Sequence, residues 1–303
     1  MHARTLVSVD ELAAATAAKQ PIVLVDCRHN LGDPRAGEEA YLAGHLPGAV
    51  FAHLDRDLAD LAKTGRGRHP LPDAPVFCAR LGRWGITPNI QVVAYDAAEG
   101  VYAARLWWML RLLGHERVAV LDGGYAAWLA SGRPIEHSIP RPKPVVYNAR
   151  YDVKQIATIA VIAARMAGAA AAPLIDARAP ERYRGDIEPI DPVAGHVPGA
   201  VNRHYALNLD VNGRFKHAGM LQTEFRALLG GAAPGEVIHM CGSGVTACHN
   251  LLAMEHAGLR GSRVYVGSWS EWSADPSRPV ARGADPGLAN QRPVSARAAA
   301  PTR

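Results

Sequence analysis

Residues 21–28, "PIVLVDCR", return as residues 172–178, "APLIDAR", and residues 43–50, "AGHLPGAV", return as residues 194–201, "AGHVPGAV". Further on, "QVVAYD" (91–96) has its counterpart in "EVIHMC" (236–241), and "LDGGYAAW" (121–128) in "YVGSWSEW" (265–272). The four matches keep their order, so this chain of 303 residues is a duplicated domain. Whatever one half folds into, the other must fold into as well. With 49% apolar residues, each copy has enough to fill a core of its own.

Within each half, short apolar runs alternate with helix-length stretches. "IVLVD", "VVAYD" and "VAVLD" in the first half, and "LID", "VIHM" and "RVYV" in the second, are of the length and composition of buried parallel strands. "VYAARLWWMLRLLGH" and "VTACHNLLAMEHAGL" read as helices that end near Gly or His. Alternating βα units predict two α/β domains, each a parallel sheet flanked by helices on both faces. The stretch beginning "SIPRPKP" has three prolines and no periodicity, so residues 138–151 read as a linker. It separates a domain at 1–137 from a second at 152–280, and residues 281–303, rich in Ala, Arg and Pro, read as a tail.

No stretch approaches about eighteen consecutive apolar residues, and the N-terminus lacks the apolar core and cleavage site of a signal peptide, so the expected location is cytoplasmic, away from membranes. Four cysteines, Cys27, Cys78, Cys241 and Cys248, are too few and scattered for a disulfide scaffold, and are expected as free thiols. The net charge of +5 comes from Lys and Arg spread along the chain without dense clusters, which favours small anions over nucleic acid as partners.

One of these thiols is placed for chemistry. Cys241 follows an apolar strand, is succeeded by Gly242 and Gly244, and precedes a helix at Val245 and Thr246. Ligands of parallel α/β sheets bind beyond the carboxyl ends of strands. Both glycines are expected at positive φ, turning backbone N–H groups toward the sulfur, with the helix N-terminus behind them. Such a cradle lowers a thiol pKa and holds anions. The first half has Asp96 at the same position, which would repel an anionic substrate, so that half reads as catalytically silent.

The duplicated halves, the paired "AGHxPGA" turns, Asp26 and Asp176, the aromatic "RLWWMLRLLGHERVAVLDGG" and "CGSGVTA" together resemble the tandem-domain rhodanese-type sulfurtransferases over roughly residues 5–280. The "CGSGVTA" loop is similar to that of the 3-mercaptopyruvate sulfurtransferases. The resemblance implies an enzyme whose Cys241 takes a sulfur from a small anionic donor, becomes a persulfide, and passes the sulfur to a thiol, cyanide or a thioredoxin-like acceptor. It implies no metal and no organic cofactor. It implies further that Ser243, His69 and Asp55 work with the nucleophile, protonating the leaving enolate of pyruvate, and that Gly242, Gly244, Val245 and Thr246 form the loop that receives the donor. Taken singly, these three would read as a turn residue, a loop residue and a helix cap.

Arg182 matches the family arginine that binds the donor's carboxylate or sulfonate, and Arg184 lies close enough to share the task. The family's usual second arginine is missing between Arg184 and His196, which leaves thiosulfate as an alternative donor, and a persulfide relay without turnover as a second alternative. His45 and His196 occur in both halves while the thiol occurs in one, so they are expected to order the turns. Trp107, Trp108, Trp128 and Trp272 are expected as packing residues, and Cys248 is expected to face the core. A phosphatase loop would carry arginine where Ala247 stands, a cysteine protease would need a histidine beside the thiol, and His239, Cys241, Cys248 and His249 lack metal-ligand spacing.

Overall fold

The computed structural model describes residues 1–166 and 173–284. Each half forms a five-stranded parallel sheet. The first contains β1 (Leu6–Val7), β2 (Ile22–Asp26), β3 (Val50–Phe51), β4 (Gln91–Tyr95) and β5 (Val118–Leu121), in the order β1-β5-β4-β2-β3. The second contains β6 (Ile156–Ala157), β7 (Leu174–Asp176), β8 (Ala200–Asn202), β9 (Ile238–Met240) and β10 (Arg263–Tyr265), in the same order, β6-β10-β9-β7-β8. The six apolar runs named from sequence form β2, β4, β5, β7, β9 and β10. The four edge strands β1, β3, β6 and β8 are two or three residues long, too short for a periodic signal.

Alternation along the strands divides the side chains between two layers. Val92 and Ala94 of β4, with Val118 and Val120 of β5, face one layer; Val93, Tyr95, Ala119 and Leu121 face the other. The first of these layers continues into the second half, because the helices Val101–Leu112 and Thr246–His256 pack against each other between the two sheets. Trp107 and Trp108 are buried in this shared core, and Trp107 anchors its indole N–H on the Arg4 carbonyl at 2.8 Å. The two halves therefore share one continuous apolar interior.

Both copies use the same device beneath the carboxyl edge of the sheet. Asp26 at the end of β2 holds Arg28, which also donates to the Gly44 carbonyl at 2.7 Å. Asp176 at the end of β7 holds Arg178, which donates to the Gly195 carbonyl at 2.8 Å. The repeated histidines are turn residues: His45 stacks on Tyr41 and His196 on Tyr183, each with Nδ1 2.8 Å from that tyrosine's carbonyl oxygen. Residues 138–151 pack along the first half, with Val145 donating to Gly82 and Tyr147 buried. Of the expected tail, Ala281 exchanges two backbone hydrogen bonds of 2.9 Å with His196, so the chain is fastened to the second half this far; residues 285–303 lie outside the described residues. Among the described residues no helix is long and apolar enough to cross a membrane.

Burial also gives the fold an acid limit. Desolvation pushes His239 down to about 3 and His249 down to about 4, from an ordinary 6.5. Both imidazoles take a proton in the unfolded chain as the pH falls below about 6.5 but stay neutral in the folded one, so stability is lost through that window. Each should cost about 3 kcal/mol by pH 4.5. Thermal melts from pH 7 to 4.5 should show a falling Tm, with a shallower fall in His239→Gln; a flat profile would contradict this account.

Candidate active site

The strand order reverses beside β9: β7 leads outward to β8, whereas β9 leads to β10 on its other side. The crevice at such a switch point is where an open α/β sheet binds its ligand, and Cys241 is the residue that follows β9. It is 2% exposed. Gly244 donates its N–H to the sulfur at 3.1 Å, and the N–H of Cys241 donates to Ser268 Oγ at 3.1 Å. Gly244 has φ +77, and a Cβ there would stand 2.4 Å from the Val266 carbonyl oxygen, so the turn admits no side chain. Gly242 departs from expectation. It is outside the left-handed region, and its bare backbone instead makes room for two guanidinium groups.

Ser268 carries strain on behalf of the thiol loop. It holds φ +52, costly for a residue with a side chain, at the position where the first half has Gly124 with φ +55. Its hydroxyl donates to the Tyr265 carbonyl at 2.8 Å while accepting from Cys241, which explains a serine at a place built for glycine.

Ser243, 6% exposed, lies 2.7 Å through its Oγ from Nδ1 of His69, and Nε2 of His69 lies 3.3 Å from the Asp55 carboxylate. Asp55 as acceptor puts the imidazole proton on Nε2 and leaves Nδ1 to accept from the serine hydroxyl. Burial holds His69 below its ordinary value against the opposing pull of Asp55, and the bond to His69 holds Asp55 below the usual carboxylate range. Asp55 is not the cap of its short helix, Leu54–Asp57; His53 is, its ring accepting the N–H of Asp55 at 3.1 Å. Arg105, fully buried on the helix Val101–Leu112, donates to the carbonyls of Gly244, His69 and Leu58 at 3.1, 3.2 and 3.3 Å. One guanidinium thus ties the thiol loop to the histidine loop across the two halves.

Cys241, Gly242 and Ser243 border a cavity of about 460 Å³ between the halves, which Val245 and Thr246 also line; His69 and Asp55 do not line it and stand behind Ser243. Across it, the Asp96 carboxylate accepts N–H groups from Ala98, Gly100, Tyr102 and Ala103 at 3.3, 2.9, 2.8 and 3.2 Å. The first half keeps the backbone cradle of the thiol loop and fills it with its own anion.

The family model of the Rhodanese-like domain matches the chain twice, over residues 8–131 and 159–275. The chain belongs to the rhodanese-like family. It is 44% identical over 285 residues to the "Probable 3-mercaptopyruvate sulfurtransferase" of Pseudomonas aeruginosa, covering 93% of this chain and 100% of that one. It is 32% identical to the thiosulfate sulfurtransferase of Bos taurus, covering 89% and 92%. The crystal structure of SseA from Escherichia coli, described with the rhodanese fold of 3-mercaptopyruvate sulfotransferases, superposes with a TM-score of 0.76 at 29% identity, over 88% of this chain and all of that one.

The structure separates the two arginines of the helix Pro180–Arg184. Arg182 borders the cavity, but Arg184, two residues on along a single turn of helix, points the other way and pairs with Asp186 at 2.7 Å. A second arginine is nevertheless present. Arg68 comes from the first half, and its Nη2 lies 3.2 Å from where a Cβ on Gly242 would be, with Arg182 Nη1 at 3.6 Å. Its one sequence signal was its place directly before His69. Cys248 is fully buried, donates to the Gly244 carbonyl at 3.3 Å and is pushed up to about 12 by burial, so it belongs to the core. His239 and His249 are occupied by Ser262 and by Asn208 and the Glu99 carbonyl, and among the described residues no group of three His, Cys, Asp or Glu side chains could hold a metal.

Proposed function

We propose that this protein is a sulfurtransferase that moves the sulfur of 3-mercaptopyruvate through a persulfide on Cys241 to a thiol acceptor or cyanide. The Asp55–His69 pair, brought from the other half to Ser243 beside the nucleophile, carries this reading. Sulfite leaving from thiosulfate needs no proton, whereas the enolate of pyruvate must be protonated at carbon. A buried proton relay beside the thiol has work to do with the carbon donor alone.

The donor carboxylate would lie between the guanidinium groups of Arg68 and Arg182. The Cys241 sulfur attacks the donor sulfur, the new S–S bond forms as the C–S bond breaks, and the electron pair passes to the enolate. The proton given up by the donor sulfur as the persulfide becomes anionic is the one carbon needs, and Ser243 with His69 carries it there. An acceptor thiolate then attacks the outer sulfur and restores the Cys241 thiolate. The N–H of Gly244 is positioned to stabilise negative charge on that sulfur at both ends of the cycle.

The test is kcat/KM for 3-mercaptopyruvate and thiosulfate side by side, with cyanide as acceptor. A preference for mercaptopyruvate is expected, and about a hundredfold of it should vanish in Ser243→Ala, because the relay speeds only the donor whose leaving carbon takes a proton. Equal or reversed preference would mean that the arginines, not the relay, choose the donor; turnover with neither, in a protein that still accepts sulfur from a persulfide, would make it a relay.

A further inference from the structure

The two arginines at the cavity mouth are already matched by acids. Arg68 Nη1 lies 2.7 Å from one oxygen of Asp191, and Arg182 Nη2 lies 3.2 Å from the other. Glu188 takes Arg182 through Nη2 and Nε at 2.6 and 3.2 Å, and reaches Arg178 at 3.3 Å. Arg178 is itself paired with Asp176 at 2.7 Å. Both Glu188 and Asp191 have side chains only 3% exposed, so water does little to screen them. The three guanidinium groups therefore face the three carboxylates of Asp176, Glu188 and Asp191, and the cluster as a whole is neutral. Asp96 and Glu99 on the facing wall add negative charge.

Neutrality does not close the site. The acids engage Nη1 of Arg68 and Nε and Nη2 of Arg182, while Nη2 of Arg68 and Nη1 of Arg182 face the bare backbone of Gly242 beside Cys241. These ends can receive one carboxylate by direct hydrogen bonds. A dianion brings a second charge into a cavity whose cations are already balanced, where no guanidinium is left to compensate it.

We infer that Glu188 and Asp191 are specificity residues: by cancelling the charge of the arginines that receive the donor, they select monoanionic donors over dianionic ones. The inference rests on the reading of Arg68 and Arg182 as the donor's binding groups. It assigns the loop between the helix Pro180–Arg184 and the second "AGHxPGA" turn a part in choosing the substrate.

The isosteric variants Glu188→Gln and Asp191→Asn, and the double variant, keep an acceptor oxygen on each arginine while removing the charge. With cyanide as acceptor, kcat/KM for thiosulfate, a dianion, should rise about tenfold in the double variant and become more dependent on ionic strength. That for 3-mercaptopyruvate should change less than about threefold. If the acids merely hold the arginines in place, both donors will instead lose kcat/KM together, and the inference falls. It falls equally if the ratio of the two donors is unchanged. A readout without turnover separates this from the proposed reaction: protection of Cys241 from iodoacetamide by pyruvate and by sulfate. Sulfate should protect at about tenfold lower concentration in the double variant, with pyruvate little changed; unaltered sulfate protection would overturn the inference whatever the enzyme's activity. Asp191→Asn alone, which leaves the buried Arg178–Glu188 pair intact, gives the same test should the double variant fold poorly.

Discussion

Cys241→Ser protein incubated with 3-mercaptopyruvate will keep its mass, whereas the wild type will gain one sulfur atom, and kcat/KM in the mutant will fall by about four orders of magnitude or more. A serine at this position inherits the Gly244 N–H and the seat on Ser268, but its hydroxyl is not ionised by one such donor and does not attack sulfur as a thiolate does. No other thiol can substitute. Cys248 lies in the first turn of the helix Thr246–His256, its proton is engaged by the Gly244 carbonyl, and burial pushes it up to about 12. Cys27 and Cys78 are buried in the first half, with their thiols raised by desolvation as well. Intact-mass spectrometry decides the matter, since sulfur retained by the mutant would place the persulfide on another residue.

Ser243→Ala and His69→Asn should divide the two donors. With 3-mercaptopyruvate, kcat should fall by about two to three orders of magnitude, the range that a positioned proton donor supplies, while thiosulfate turnover should stay within about threefold of wild type. The pH profile carries the sign. His69 serves the relay with Nδ1 unprotonated, and burial holds it below its ordinary 6.5, so mercaptopyruvate turnover should drop on the acid side only when the pH falls below that value. His69→Asn should remove this acid limb, and thiosulfate should never show it. Parallel losses for both donors would mean that Ser243 and His69 shape the loop and pass no proton.

Much of this architecture is legible in the sequence because duplication supplies its own control. The central strands stand out as apolar runs in both copies, and the Asp26 and Asp176 pairs repeat down to the residue. The single difference at the end of the fourth strand, Asp96 against Cys241, marks the active half. What sequence order conceals is contact across the halves. Arg68 is a loop residue in a basic stretch, and nothing local says that it will reach Gly242, 174 positions later. The reading of Arg184 failed for the complementary reason: proximity along the chain to Arg182 is not proximity in space on a helical turn. Glu188 and Asp191 carry no signal of their own in the sequence, and only the fold sets their oxygens on those arginines. Ser268 was hidden because a left-handed serine is a decision of the tertiary structure.

Arg105 ties the carbonyl of Gly244 to that of His69, and this bond has a meaning for the chain while it is being made. Ribosomal synthesis delivers Asp55, His69 and Arg105 long before Cys241 and Ser243. A molecule in which the second half has folded but not docked holds a cysteine without its proton relay, its arginine from across the cleft, or the anchor under its loop. The complete set of groups around Cys241 therefore exists only in a chain whose two halves have docked.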